Sequence, residues 1–322
     1  MTARVKRSPM AFIAFLILFA HLPAHSETLK ISASGRSFTQ LPIRIAQVKG
    51  FYRDEDLEVA YVQMTGQLAT TSLFGGHVDA TTAFSASATA YIRGLDAKGV
   101  IVFCDKPTFI LVSKPQYRSV TDLRGKTIAV SSFGTSSDLV TRNILAHFGL
   151  NPTRDATILA LGQASVRLAA MQSGTVDATI LSTPENIVAE RSGFRRIAES
   201  AQFIEMPLAG LVVTQSKIDS KRDQTKRMVK ATLRGLHFLH QNRQGAIDIA
   251  TEWMKLDREF TSAGFDATLP AYSQEGFATD KGILTMLEIS TNKKTADINP
   301  SKFTDFSMLR EALAELKSAP RR

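Results

Sequence analysis

At 322 residues, with 44% hydrophobic and 21% charged side chains, the chain has the make-up of a globular protein long enough for one large or two modest domains, which excludes wholesale disorder. The formal charge of +9 comes from 39 Lys and Arg against 30 Asp and Glu, and the basic residues are scattered, as in Lys217, Lys221, Arg222, Lys226 and Arg227, instead of running together with aromatics. That pattern reads as solvated helix faces and argues against a nucleic-acid partner.

The chain opens on Arg4, Lys6 and Arg7, continues in an apolar run from Ala11 to Ala20 and meets Pro23. This is the grammar of a secretory signal, and the run falls short of the roughly 20 apolar residues that span a bilayer. Ala24 and Ser26 suit the small-residue positions of a cleavage site, so residues 1–26 are expected to be removed, leaving a mature chain near Glu27 at a charge of +6. No Cys follows the run, so no lipid anchor is expected, and no later stretch reaches membrane-spanning length. The expected location is the periplasm. The single Cys, Cys104, excludes an intramolecular disulfide framework and a Cys-based zinc site. Lying in Val100-Ile101-Val102-Phe103-Cys104, it reads as a small buried strand residue.

Two parts of the mature sequence repeat each other. The first has a strand pattern from Leu29, a polar turn Ser34-Gly35-Arg36-Ser37, helix positions Leu41 and Ile45, and a closing Gly50. The second has a strand pattern from Thr127, a turn through Gly134-Thr135-Ser136, helix positions Val140 and Ile144, and a closing Gly149; the matched positions are 99 apart. Gly76-His77-Val78-Asp79-Ala80 then matches Gly174-Thr175-Val176-Asp177-Ala178 at an offset of 98. Each copy alternates strand and helix, which implies parallel sheets covered by helices, and two copies imply two similar lobes. Ligands of open α/β sheets bind at the carboxyl ends of the strands, so two facing lobes place two such edges around one cleft. The turns carry suitable chemistry. Gly134 permits close backbone approach, hydroxyls cap the helix expected near Ser136, and free N–H groups with the positive helix end favour an anionic or strongly polar group. In the other copy Arg36 is a candidate carboxylate or sulfonate partner, and Phe38 a candidate stacking or lid residue.

Further motifs sharpen this pattern: Ala46-Gln47-Val48-Lys49-Gly50-Phe51-Tyr52 with Asp56-Leu57-Glu58-Val59, Asp122-Leu123-Arg124-Gly125-Lys126-Thr127, and Leu168-Ala169-Ala170-Met171-Gln172-Ser173-Gly174. In order and spacing, from Leu29 to Leu316, they resemble the periplasmic substrate-binding proteins of ABC importers in the nitrate, sulfonate and taurine group, related to binders of thiamine-pyrimidine precursors. The resemblance implies an α/β type II periplasmic binding fold: two similar lobes, each a mostly parallel sheet flanked by helices, joined by a two-strand hinge. The expected divisions are residues 27–115 for the first part of lobe I, 116–213 for lobe II and 214–322 for the return to lobe I, with hinges near Ser113–Tyr117 and Val213–Ser216. Helical patterns from Gln224 to His240 and from Ala246 to Lys255 should pack on lobe I, and Met308 to Leu316 should close the chain.

By position, the resemblance points to ligand-binding residues Arg36, Ser37, Phe38 and Ser85, the last in a loop Phe84-Ser85-Ala86, on lobe I. On lobe II it points to Ser132, Gly134, Thr135, Ser136, Gln163, Ser182, Thr183 and Glu185; Gln163 and Glu185 read equally well as helix-start residues. The implied function is capture of a small polar or anionic organic ligand, of sulfonate, aromatic-acid or pyrimidine type. The captured ligand would pass to an ABC permease by transient docking of a monomer, without cofactor or metal.

No P-loop, HExxH, G-x-G-x-x-G or G-x-S-x-G motif is present. His237 and His240 have an i, i+3 spacing but no third ligand in sequence reach. An alternative is a thiamine-pyrimidine synthase-like enzyme, as in eukaryotic relatives of the family, which consume an active-site histidine and need a Cys-rich iron-binding segment. One Cys and an export signal argue against it. A second alternative is a ligand sensor for a membrane receptor.

Overall fold

A computed structural model describes residues 27–291 and 299–318, so the expected signal segment 1–26 lies outside the described residues. The first repeat folds as β1 (Glu27–Ala33), α1 (Leu41–Val48), β2 (Leu57–Gln63), α2 (Gly66–Phe74), β3 (Ala80–Thr81), α3 (Phe84–Ile92) and β4 (Ala97–Cys104). After β5 (Ile110–Ser113), the second follows as β6 (Lys126–Val130), α4 (Ser136–His147), β7 (Ala156–Ala160), α5 (Ala164–Gln172), β8 (Ala178–Leu181), α6 (Glu185–Arg191) and β9 (Arg195–Glu199). With β10 (Ala209–Thr214), the described strands form two five-stranded sheets of order β2-β1-β3-β10-β4 and β7-β6-β8-β5-β9. The two orders correspond strand for strand. In each sheet three neighbours run parallel, and the fourth strand is antiparallel to both of its neighbours.

The Val-Asp-Ala motif shared by the repeats explains the matching register. Asp79 donates its N–H to the Lys30 carbonyl at 2.9 Å and accepts the Lys30 N–H on its carboxylate at 2.9 Å. Asp177 does the same with Thr127, at 2.8 and 3.0 Å. Each carboxylate also holds a lysine that follows the antiparallel strand of its own sheet, Lys217 at 2.7 Å and Lys114 at 3.0 Å. One side chain thus ties three strands together, with charge-assisted bonds that are stronger than neutral ones. Gly50 and Gly149 follow the helices at φ +76° and +77°, a left-handed conformation that costs glycine little, and both end their helix in the same geometry.

The lobe boundaries differ from expectation. β5, placed by the sequence before the hinge, belongs to the second sheet, and β10, placed in lobe II, belongs to the first. The chain therefore crosses between sheets at residues 105–109 and 200–208, not near Ser113–Tyr117 and Val213–Ser216. The reason is that each antiparallel strand lies in the lobe opposite to the segment that precedes it, which local patterning does not register. The two crossings are bonded to each other: Ser200 donates its N–H to the Phe109 carbonyl at 2.9 Å, and its Oγ accepts the Phe109 N–H at 3.1 Å.

The C-terminal helices α7 (Gln215–Gln241), α8 (Arg243–Met254), α9 (Arg258–Thr268), α10 (Asp280–Thr291) and α11 (Ser307–Ser318) return to the first lobe. α7 is kinked at Lys221 and begins nine residues before the expected Gln224. Its Leu233 and Leu236 bury against Leu41 and Ile45 of α1 in the first lobe's core, where Cys104 is also fully buried. The second core runs from Val102 and Val212 of the first sheet to Val130 and Ile180 of the second, so the lobes share one apolar spine.

Candidate functional site

The carboxyl ends of β1, β6 and β8 and the helix starts after them face one another across a cavity of about 360 Å³. Lobe I contributes Ser34 to Ser37, Thr39, Gln40, Gln63 and Thr82; lobe II contributes Ser131, Thr135 to Ser137, Gly162 to Ser165, Arg167, Ser182 and Glu185. Phe109 and Leu208, from the two crossings, supply an apolar wall between them. The size is that of a small-molecule site.

Of the residues picked out by sequence, Arg36, Ser37, Thr135, Ser136, Gln163, Ser182 and Glu185 line this cavity. The others do not. Phe38 is fully buried in the lobe I core, where its carbonyl accepts the Tyr272 hydroxyl at 2.5 Å, so it is no lid or stacking residue. Ser85 lies in the first turn of α3, not in a loop, and its Oγ accepts the Ser136 hydroxyl at 2.8 Å across the lobes. Ser132 turns its carbonyl to the Thr135 hydroxyl at 2.6 Å. Gly134, at φ +75°, lines a second cavity on the outer side of the same turn, beside Phe133, Arg93 and Leu95. Thr183 is buried and precedes Pro184 in a cis peptide.

The turn before α4, expected to favour an anionic group, has its Gly134 N–H and its hydroxyls engaged, while its N-cap Thr135 makes no side-chain cap. Asp138, 3% exposed, accepts the Gly134 N–H at 2.8 Å and pairs with Arg142 at 2.7 Å, which puts a carboxylate of the chain itself at that helix start. Ser131, Thr135 and Ser137 bond to one another at 2.7 to 3.1 Å. Arg36 is exposed at the cavity mouth and donates to the Trp253 carbonyl in the last turn of α8 at 3.0 Å. Tyr61 steadies this loop by donating to the Gly35 carbonyl, with its ring set edge-on to Trp253 at 5.6 Å.

Arg167, which sequence reasoning passed over, is the most confined charge in the cavity lining. It is 4% exposed, and its guanidinium donates to Thr179 Oγ1 at 3.2 Å, to the Ile180 carbonyl at 3.0 Å and to the Gly162 carbonyl. All three acceptors are neutral, and among the described residues it forms no ion pair. Burial pulls its pKa down to about 10, against the opposing pull of Glu185, so it stays charged at neutral pH. Burial in turn pushes the Glu185 carboxyl up from the usual range, against its own backbone N–H and Arg167. One signal was legible: Arg167 shares a helix face with Met171, four residues on, and so sits on the buried side of an Ala- and Leu-rich helix. Gln40 was missed as well; it is 4% exposed and its Oε1 has no hydrogen-bond partner. Elsewhere, the His240 ring nitrogen meets the Ser273 carbonyl at 3.0 Å.

Two matched α/β lobes with a ligand-sized cavity between their strand ends define the architecture of the type II periplasmic binding proteins. The chain belongs to the NMT1/THI5-like family, whose pattern it matches over residues 37–246. It is 26% identical over 222 residues to the riboflavin-binding protein RibY of Chloroflexus aurantiacus, a match that takes in 66% of this chain and 62% of that relative's length. Its structure is similar to that of a protein from Bordetella bronchiseptica RB50, at a TM-score of 0.81 and 22% identity, over 91% of this chain and 99% of the other. It is also similar to the alkanesulfonate-binding protein SsuA of Xanthomonas axonopodis pv. citri bound to MOPS, at a TM-score of 0.71 and 18% identity, over 88% and 97%.

Proposed function

We propose that the chain is a periplasmic solute-binding protein that captures a small polar or anionic organic ligand between its lobes and delivers it to an ABC permease in the cytoplasmic membrane. The observation that carries this reading is a cavity walled by both repeats and by Phe109 and Leu208 of the two crossings. Its lining is rich in hydroxyls, amides and free helix starts, and among the described lining residues there is no His or Cys to act as base or nucleophile, which favours binding over chemistry. The names of RibY and of the SsuA protein, a riboflavin binder and an alkanesulfonate binder, support a ligand that is an organic molecule with polar or anionic groups. The chain works as an exported monomer. The lobes rock about the crossings at 105–109 and 200–208, and the ligand shifts the population toward the closed form because it touches both walls only there.

Native mass spectrometry of freshly purified protein, followed by a thermal-shift panel of sulfonates, nitrate, aromatic acids, pyrimidines and flavins, tests this reading. A true ligand at about 100 times its dissociation constant adds roughly 2.7 kcal/mol of stability. A non-covalent mass that co-purifies, or a saturable shift, is the expected result. Turnover of a bound compound would point to an enzyme, and a flat response across the panel with no co-purifying mass would refute solute capture.

A further inference from the structure

A second cavity of about 360 Å³, as large as the first, lies on the outer side of the turn before α4. Thr135 and Ser136 of that turn line the first cavity, whereas Phe133 and Gly134 line the second, together with α2 and α3 of lobe I; the two linings share only Ala86. The volume is that of a small-molecule site. Its apolar wall is made by Phe74 of α2, Ala86 and Ala90 of α3, Leu95 and Phe133. Thr70, Thr71 and Thr89 also line it, but their hydroxyls donate to the carbonyls of Gly66, Gln67 and Ser85 at 2.9 to 3.1 Å. They offer an occupant methyl groups and acceptors, with their donors already engaged.

Phe133 is 52% exposed and Leu95 44%. Apolar side chains scattered singly over a surface are ordinary, but two that flank one concavity make a patch. The turn itself does not require a ring, because the matching position of the first repeat, 99 residues earlier, is Ser34. Phe133 also packs on none of the apolar cores. Among the described lining residues the one charge is Arg93, which is exposed and whose guanidinium has no ion pair, hydrogen bond or ring contact. An apolar hollow with a single unpaired cation in its wall complements a molecule with an apolar body and one acidic group.

We propose that this cavity is a second small-molecule site, which takes an amphipathic acid with its aromatic body against Phe133, Phe74 and Leu95 and its anionic group toward Arg93. The site goes beyond solute capture, which concerns the first cavity, and each stands or falls on its own experiment.

Fluorescence titration with 8-anilinonaphthalene-1-sulfonate and with N-phenyl-1-naphthylamine, the same skeleton without the sulfonate, tests the assignment. The expected result is saturable binding of both probes, the sulfonate about two- to fivefold more tightly, the size of an exposed ion pair. Phe133→Ser, which installs the residue of the other repeat, should weaken both probes by about fivefold or more through the lost ring contact. Arg93→Gln should abolish the difference between the two probes while both still bind. Gln163→Ala, in the first cavity, should change either affinity by less than about twofold. Both Phe133 and Arg93 are exposed, so their variants should melt with the parent. No saturable binding, unchanged affinity in Phe133→Ser, a sulfonate preference that survives Arg93→Gln, or loss of binding in Gln163→Ala overturns the assignment. So does light scattering that finds the parent dimeric and Phe133→Ser monomeric, since the patch would then be covered by a second copy of the chain.

Discussion

Asp177 shows how much one side chain settles in this protein. Burial opposes its charge, but hydrogen bonds from the Thr127 N–H, Lys114 and Tyr117 outweigh burial and hold the carboxyl below the usual carboxylate range. A folded-state pKa below the unfolded value means that the ionised form is favoured by folding. Its contribution is therefore present above the unfolded pKa, about 4, and is lost as the pH falls through that value toward the folded one. Asp177→Asn should cost about 1–3 kcal/mol at pH 7, the range for charged hydrogen bonds, and the gap between the two proteins should shrink as the pH drops below about 4. Urea denaturation followed from pH 7 to pH 3 measures this; a gap that is constant with pH would mean the carboxylate is not the source. Asp177 was readable as half of a repeated motif, whereas its three partners come from two other segments, the Lys114–Tyr117 turn and β6, and were not.

At the level of elements, α9 meets the loop after β8 through a glycine that is also pressed against Phe38. A Cβ at Gly264 would lie 2.5 Å from the Phe38 ring and 3.0 Å from Thr183 Cγ2. Phe38 is fully enclosed and has no room to yield. Gly264→Ala should gain about 1 kcal/mol of helix propensity and lose more than that to overpacking, typically about 1–3 kcal/mol, for a net fall in melting temperature. A differential scanning experiment that finds the variant as stable as the parent, or more so, would contradict this packing. The helices themselves were legible from apolar spacing and glycine stops. The role of α9 was not, because its glycine is required by residues more than 80 and 220 positions away, Thr183 and Phe38.

Across the whole molecule, the polar bonds between the lobes among the described residues include Ser136 to Ser85 at 2.8 Å and Thr89 to the Gly134 carbonyl at 3.2 Å, with Arg191 over the Phe260 ring at 4.9 Å on the other side. An interface of this kind suits an equilibrium that a ligand tips. Ser136→Ala removes one such bond, worth about 0.5–1.5 kcal/mol net, and should move the closed-to-open ratio toward open by up to roughly tenfold. Small-angle scattering should then give a larger radius of gyration for the variant without ligand, and the two proteins should converge at saturation. Identical radii under both conditions would show that this bond does not hold the lobes together.

By itself the sequence determined the alternation of strand and helix, the duplication, and the family, because apolar periodicity, glycine stops and the Val-Asp-Ala motif are local and repeat at a constant offset. It placed seven residues on the cavity wall by the same logic, since residues just after a strand's carboxyl end face the cleft in this kind of sheet. Tertiary structure alone decided which antiparallel strand belongs to which sheet, where the chain crosses between lobes, and that Phe38 is core. It also decided that Asp138 ties down the Gly134 turn, and that Arg167, carried on an apolar face, is buried at the cavity with Glu185 near it. Those outcomes depend on the electrostatic and steric fit of segments far apart in the chain, and no window of neighbouring residues contains that information.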